Sequence, residues 1–299
     1  MADPGVVVHG KSHESVGVFL MSVVRCWIVG IVTGSLIAGP AYGAEQGEGD
    51  LAKASQNPIG NMISLPFQNN TSFGIGPNDA VSNALNIQPV YPVSLSPNWN
   101  LINRGIVPLI YREEVIPGTG SASGLGDISY TGFISPSKPG KVIWGVGPAF
   151  IFPTAQEERF ASDKWSAGAG AVILSMPGNW VLGVLIQNVW SFAGDDNAAD
   201  INQMLLQPII NYNLNDGWYL TSVPVITANW EADSDNRWTI PLGGGFGKIT
   251  KWGKQPLDLQ MQAFYNVEKP NPLVGQGINI DNQGETWTLR LQLKLLFPK

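Results

Sequence analysis

The chain is short of charge, of histidine and of cysteine. Lys, Arg, Asp and Glu make up 13% of its 299 residues, against about 25% in an ordinary soluble domain. The two histidines, His9 and His13, and the one cysteine, Cys26, all lie near the start. The longest apolar stretch runs from Cys26 to about Gly39, which falls short of the ~18 residues a membrane-spanning helix needs. A mean hydropathy of +0.04 is likewise too low for a bundle of membrane helices. Net charge is −6 and the pI about 4.9, so no basic surface favours nucleic acid. Yet 11 Trp, 11 Phe and 7 Tyr accompany 35 Gly and 22 Pro, an aromatic load that argues against disorder. This composition fits a protein whose outside is not entirely wet.

The apolar stretch follows Arg25 and ends in Ala41-Tyr42-Gly43-Ala44. A short apolar core behind a positive charge, closed by small residues, is the pattern of a secretory signal peptide. Residues 1–43 are therefore expected to be a presequence, cleaved after Gly43 or, as runner-up, Ala44. An alternative start at Met21 leaves Met21-Ser22-Val23-Val24-Arg25 as a compact leader. The competing reading is an uncleaved anchor. Cleavage removes His9, His13 and Cys26 together, and with them Ser-His-Asp and Cys-His catalysis, zinc sites built on His or Cys, and disulfides. Most enzyme readings fall here.

After Asp50 the dominant signal is strict alternation, which belongs to strands. Trp287, Leu289, Leu291, Leu293, Leu295 and Phe297 share one face, while Thr288, Arg290, Gln292 and Lys294 share the other. The segment before it sets Leu257, Leu259, Met261, Ala263, Tyr265 and Val267 against Asp258, Gln260, Gln262, Asn266 and Glu268. Ten comparable segments precede these, at about 62–75, 84–95, 98–111, 124–135, 141–153, 164–176, 179–192, 200–213, 216–230 and 236–249. A strand crosses a bilayer in ~9–11 residues, and an open sheet edge is intolerable in lipid. The expectation is an all-β transmembrane antiparallel up-and-down β-barrel of about 12 strands over residues 62–299. Residues 44–61 form a periplasmic segment before it, with a short helix at 49–56 that either rests in the periplasm or plugs the lumen.

The connections support this by alternating in length. Ser96-Pro97-Asn98, Pro177-Gly178-Asn179 and Asn215-Asp216-Gly217 are short turns. Stretches 112–123, 154–163, 193–200, 231–236 and 269–284 are generally longer and carry acids such as Glu113, Glu114, Asp195 and Asp196. Short periplasmic turns and long outer loops are the habit of outer-membrane barrels. Trp99, Trp180, Trp218, Trp230, Trp238, Trp252 and Trp287 fall near strand ends, where an amphipathic ring meets headgroups. Against the pattern, Pro89, Pro108, Pro148, Pro208, Pro224 and Pro241 lie inside expected strands. Proline belongs to edges or bulges, so bends are expected there, and the count falls to ten if several of these segments are loops.

Several runs carry a family resemblance: Ile63-Ser64-Leu65-Pro66-Phe67-Gln68-Asn69-Asn70, Phe73-Gly74-Ile75-Gly76-Pro77, Leu85-Asn86-Ile87-Gln88-Pro89, Gly124-Leu125-Gly126-Asp127-Ile128, Asn211-Tyr212-Asn213-Leu214 and Gly243-Gly244-Gly245-Phe246-Gly247-Lys248. Together with the ending Leu293–Lys299, the chain resembles a bacterial outer-membrane β-barrel family of transporters, associated by name with phenol meta-pathway degradation and sometimes labelled neuromedin U. The resemblance implies the fold, the cell outer membrane, lipid and lipopolysaccharide as surroundings, and the barrel assembly machinery as partner. It carries over no site residues. The assembly signal is expected in Trp287, Leu289, Leu291, Leu293, Leu295 and Phe297, although here Pro298 and Lys299 follow the terminal aromatic.

Alternation points Asp258, Gln260, Gln262, Glu268, Arg290, Gln292 and Lys294 inward, with Gln203, Gln207 and Asn211 from the eighth strand and Arg104 and Asp127 from earlier ones. Such an interior is either a selective aqueous path or a salt-bridged structural network. The Gly243–Gly247 run lacks the register and the following helix of a phosphate loop and reads as a bend or close-packing site. Glu231, Asp233 and Asp235 lack the Gly and distal Glu of a calcium loop, so no metal or other cofactor is expected. The functional expectation is a channel or transporter for small, hydrophobic or aromatic, solutes. The alternatives are a structural or adhesion barrel without transport and, last, an outer-membrane hydrolase built on Glu113/Glu114 or Asp195/Asp196.

Overall fold

The computed structural model describes residues 48–76, 79–115, 118–270 and 284–298. The expected presequence lies outside them. The described chain opens with a helix, α1 (Glu48–Gln56). Strands follow as β1 (Ile63–Ile75), β2 (Ala80–Ile87), β3 (Val90–Ser96), β4 (Trp99–Arg112), β5 (Ala122–Leu125), β6 (Ile128–Pro136), β7 (Val142–Phe152) and β8 (Lys164–Ser175). They continue as β9 (Trp180–Gly194), β10 (Asn202–Asn213), β11 (Trp218–Ser222), β12 (Ile226–Asn229), β13 (Trp238–Trp252), β14 (Gln255–Glu268) and β15 (Trp287–Phe297).

Every pairing is antiparallel between chain neighbours, and β1 pairs with β15 from Ile63↔Phe297 to Phe73↔Trp287. That last ladder closes the sheet. Three crossings are interrupted: β2/β3 at Gln88-Pro89, β5/β6 at Gly126-Asp127, and β11/β12 at 223–225. Each such pair is one strand of the wall, since β2 and β3 share β1 and β4 as neighbours, β5 and β6 share β4, and β11 and β12 share β10 and β13. The wall therefore has 12 strands, and the alternative of ten falls away.

Proline accounts for several of the irregularities, because it brings no N–H to the ladder. Pro89 and Pro224 sit in interruptions, and the register shifts between Ile240 and Pro241. Pro208 lies opposite the Pro224 gap, between the pairs Leu206↔Ile226 and Ile210↔Ser222. The carbonyl of Pro108 accepts the Gly126 N–H at 2.9 Å. Beyond that bond β6 is offset by one residue from β5, and Asp127 is the extra residue of a bulge. Pro148 stays in the continuous ladder to β8, opposite Ala169, while the ladder to β6 skips from Thr131↔Ala149 to Ile134↔Val146 around it.

The hydrophobic distribution is inverted relative to a soluble protein. Leu259, Met261, Tyr265 and Val267 of β14 are exposed, whereas Asp258, Gln262 and Asn266 are buried. On β15 Trp287, Leu291 and Phe297 are exposed while Arg290 is buried. Apolar side chains facing outward along a closed sheet mark a lipid-contacting surface. Aromatic rings gather at both rims. Trp99 meets Trp144 edge-on at 5.9 Å and Trp180 meets Tyr212 at 4.7 Å on the short-turn side, and Trp230 meets Trp238 at 5.5 Å on the long-loop side.

Met261 lies near the middle of β14 on the outward face. Met261→Arg is expected to destabilise the barrel by about 2–4 kcal/mol, measured as a lower urea midpoint in lipid vesicles, whereas Met261→Leu leaves that midpoint within error.

Candidate functional site

The lumen is built from the inward-facing positions of the strands, and its short-turn end is occupied by α1. Leu51 and Ala52 are buried with Met62, Tyr219, Ile249 and Leu296. Polar contacts fix the same helix. The Asp258 carboxylate accepts hydrogen bonds from Ser55 Oγ and from Tyr219 Oη (2.5 Å) and faces Lys294 Nζ at 3.5 Å. Lys294 Nζ also donates to the Ser55 carbonyl at 2.8 Å. Gln56 and Asn213 exchange side-chain bonds of 2.9 and 3.3 Å, and Lys53 Nζ donates to the Gly178 carbonyl at 2.6 Å. Of the two placements expected for this helix, the lumen is the one observed.

The glycine run explains how Tyr219 enters. Tyr219 pairs with Gly247 across the β11–β13 ladder. A Cβ on Gly247 would fall 2.2 Å from the Tyr219 ring. The bare backbone is thus the floor on which the phenol lies, with its hydroxyl aimed at Asp258 and accepting from Gln260 Nε2 at 3.2 Å. This is close packing, as expected of the run.

Above α1 the interior opens into two cavities, a lower one of about 120 Å³ and an upper one of about 410 Å³. Both are lined by Gln68, Gln88, Arg104, Gln207 and Arg290, which form the waist between them. Arg104 Nη2 donates to Gln88 Oε1 at 3.1 Å. Arg290 donates from Nε to Asn70 Oδ1 at 2.9 Å and from Nη1 to the Val223 carbonyl at 2.8 Å, and its guanidinium lies 4.9 Å from the Phe264 ring centre. The Val223 N–H is held by Gln262 Oε1 at 3.0 Å. The β11/β12 interruption therefore hands its unpaired backbone groups to luminal side chains, as a buried backbone requires.

Each residue expected in the lumen has a definite place. Asp258, Gln260, Gln262, Asn211, Gln292 and Lys294 line the lower cavity, and Gln203 and Asp127 the upper one. Arg104, Gln207 and Arg290 line both. Glu268 lines neither, which corrects its expected position. The register shift at Ile240/Pro241 pairs Ile240 with Glu268 but Pro241 with Asn266, so Val267 is extra and Glu268 emerges exposed at the rim. Asp127 reaches the cavity wall with its carboxylate already engaged. It accepts the N–H groups of Thr154 and Ala155, both at 3.0 Å, and of Ser162 at 2.9 Å, binding the 154–163 loop to the wall.

Alternation on the last strands did not anticipate the apolar side of the lumen. Ile59, Ile102, Phe133, Val172, Leu174, Val181, Leu185 and Ile209 form a buried cluster. Its signal lies partly in segments 142–152, 164–175 and 180–194, which are largely apolar on both faces with small residues interspersed, whereas Phe133 stands on a face otherwise made of Ser129, Thr131 and Ser135. The interior is consequently amphipathic.

The acid pairs considered for hydrolysis are committed elsewhere. Glu113 accepts the Val81 N–H at 2.9 Å. Asp195 accepts the backbone and side-chain N–H groups of Asn197, and these bonds hold its carboxyl below the usual range. Among the described residues no three His, Cys, Asp or Glu are grouped to hold a metal ion.

A closed barrel with an apolar exterior, aromatic rims and a polar-lined lumen defines an integral protein of the bacterial outer membrane. Residues 66–281 match the family model described as "Putative MetA-pathway of phenol degradation", and the chain belongs to that family. No curated protein sequence matches it. Among solved structures it is similar to the COG4313 outer membrane channel from Pseudomonas putida F1, with 16% identity over 79% of this chain and 94% of that one and a TM-score of 0.58. A Pseudomonas aeruginosa FadL homologue (8% identity, 79% and 89% coverage) has a TM-score of 0.42. The Salmonella typhi outer membrane phospholipase dimer (13%, 86% and 99%) has one of 0.43.

The Asp258 cluster is expected to hold α1 in place. Asp258→Asn removes a charge-assisted network worth about 1.5–3 kcal/mol. Trypsin should then cut after Lys53 in the refolded protein about tenfold faster or more, while the thermal midpoint of the strands shifts far less.

Proposed function

We propose that the barrel is a passive conduit across the outer membrane for small solutes of partly apolar character, with no chemistry of its own. The observation that carries this reading is the amphipathic lumen: an upper cavity of about 410 Å³ that narrows to a polar waist above a smaller chamber. A structural barrel has no need of such a space, and ligand cavities run from about 300 to 1,000 Å³. The similarity to the P. putida outer membrane channel agrees with it. Passage ends at α1, so transfer to the periplasm requires that the helix yield. Its seat, a few hydrogen bonds and the small Leu51/Ala52 contact, is modest enough to do so.

One observation favours the alternative, a structural barrel. The short-turn mouth is filled and an apolar cluster occupies one side of the lumen. The two readings separate in proteoliposomes. A swelling series with arabinose, glycine and phenylalanine should give flux that favours phenylalanine and rises in the Asp258→Asn variant. Folded protein that gives neither flux nor ion conductance would decide for the structural barrel.

A further inference from the structure

The charge of this molecule is segregated. The chain carries a net −6, yet Arg104, Arg112 and Arg290 line the upper cavity against two carboxylates, Asp127 and Glu285. The Asp127 carboxylate is consumed by three backbone N–H groups. Glu285 lies two residues before β15 on the long-loop side, where its carbonyl accepts the Asn266 Nδ2 bond at 2.7 Å, and it is engaged in its own contacts. Arg112 lies at the same end of its strand, 5.1 Å from the Phe160 ring centre. Below the waist the one carboxylate, Asp258, is held by Lys294, Ser55 and Tyr219.

That leaves Arg104 and Arg290 at the cavity floor. Among the described residues neither has a carboxylate partner. Arg290 is only 7% exposed, and its Nη2 has no hydrogen-bond partner among the described residues. Holding a largely buried guanidinium without a counter-charge is costly. Its planar fork matches a carboxylate better than any neutral oxygen. The walls above are apolar, with Ile106, Ile110, Leu185, Val189, Leu205 and Phe264 among their lining. Cationic floor and apolar wall are complementary to one kind of molecule.

We propose that the upper cavity binds a small carboxylate with an apolar body, its carboxylate held at Arg104 and Arg290 and its apolar part against the wall, for which benzoate is the probe. This rests on the conduit reading and narrows its solute to a monoanionic amphiphile. The two are tested separately, because binding is measured here without transport. Full-length mature protein refolded in detergent is titrated calorimetrically with benzoate, benzyl alcohol and acetate at fixed ionic strength. Benzoate should bind about tenfold or more tightly than either, since benzyl alcohol lacks the charge and acetate the ring. A charge-assisted bond is worth about that factor. Arg104→Gln and Arg290→Gln should each lose about tenfold for benzoate and little for benzyl alcohol. Folding of each variant is checked by heat-shifted gel migration. If Arg290→Gln fails to fold, Arg104→Gln and Arg290→Lys carry the test, the latter keeping the charge and losing the fork. Equal affinity for benzoate and benzyl alcohol, no binding of benzoate, or benzoate binding unchanged in the folded arginine variants would overturn the proposal. Phenylalanine flux that persists in any of those cases leaves the conduit intact and retires only the anion site.

Discussion

Backbone hydrogen bonding in hydrocarbon is the constraint on which the rest of this structure depends. No water is present there to satisfy an N–H or C=O, and each one left unpaired costs several kcal/mol. The ladder between β1 and β15 removes the two edges that an open sheet would leave. Once the wall is closed, side chains on its two faces meet different solvents, and alternation becomes obligatory. The same constraint explains the breaks. Where Pro224 interrupts a strand, Gln262 and Arg290 take up the backbone groups of Val223, and where β5 gives way to β6, Gly126 bonds to Pro108. An irregular wall is tolerated because luminal side chains complete it.

Much of the wall was legible in the sequence, and for a physical reason. A period of two with one apolar face is imposed by lipid, and turn chemistry marks the ends. Twelve strands follow from counting both. What proline does was half legible. That bends must occur was clear, but whether a given proline breaks the ladder, as Pro89 does, or sits within it, as Pro148 does, depends on the neighbouring strand. Glu268 shows the same limit, because one bulge at Val267 reverses the parity on which its inward placement relied.

The interior was less legible than the wall. Residues such as Arg104 and Gln207 can be sorted inward by parity, but nothing in their spacing says that five positions from five crossings meet at one waist. Nor does parity reveal who is already occupied. Asp127 and Arg290 are both inward charges by pattern, and only the fold shows the first saturated by backbone N–H groups and the second bonded only to neutral oxygens, with no counter-charge among the described residues. The apolar cluster was hidden because segments such as 164–175 and 180–194 are apolar on both faces and carry no alternation to read, and because Phe133 is a lone ring on an otherwise polar face.

The seat of α1 has a consequence for assembly. Ser55 meets Asp258 across 203 residues and Lys294 across 239, so both bonds join the end of α1 to the last two crossings of the wall. A stopper wired in this way has an incomplete socket until the last two crossings are in place. The full set of bonds that corks the barrel is available only to the finished wall.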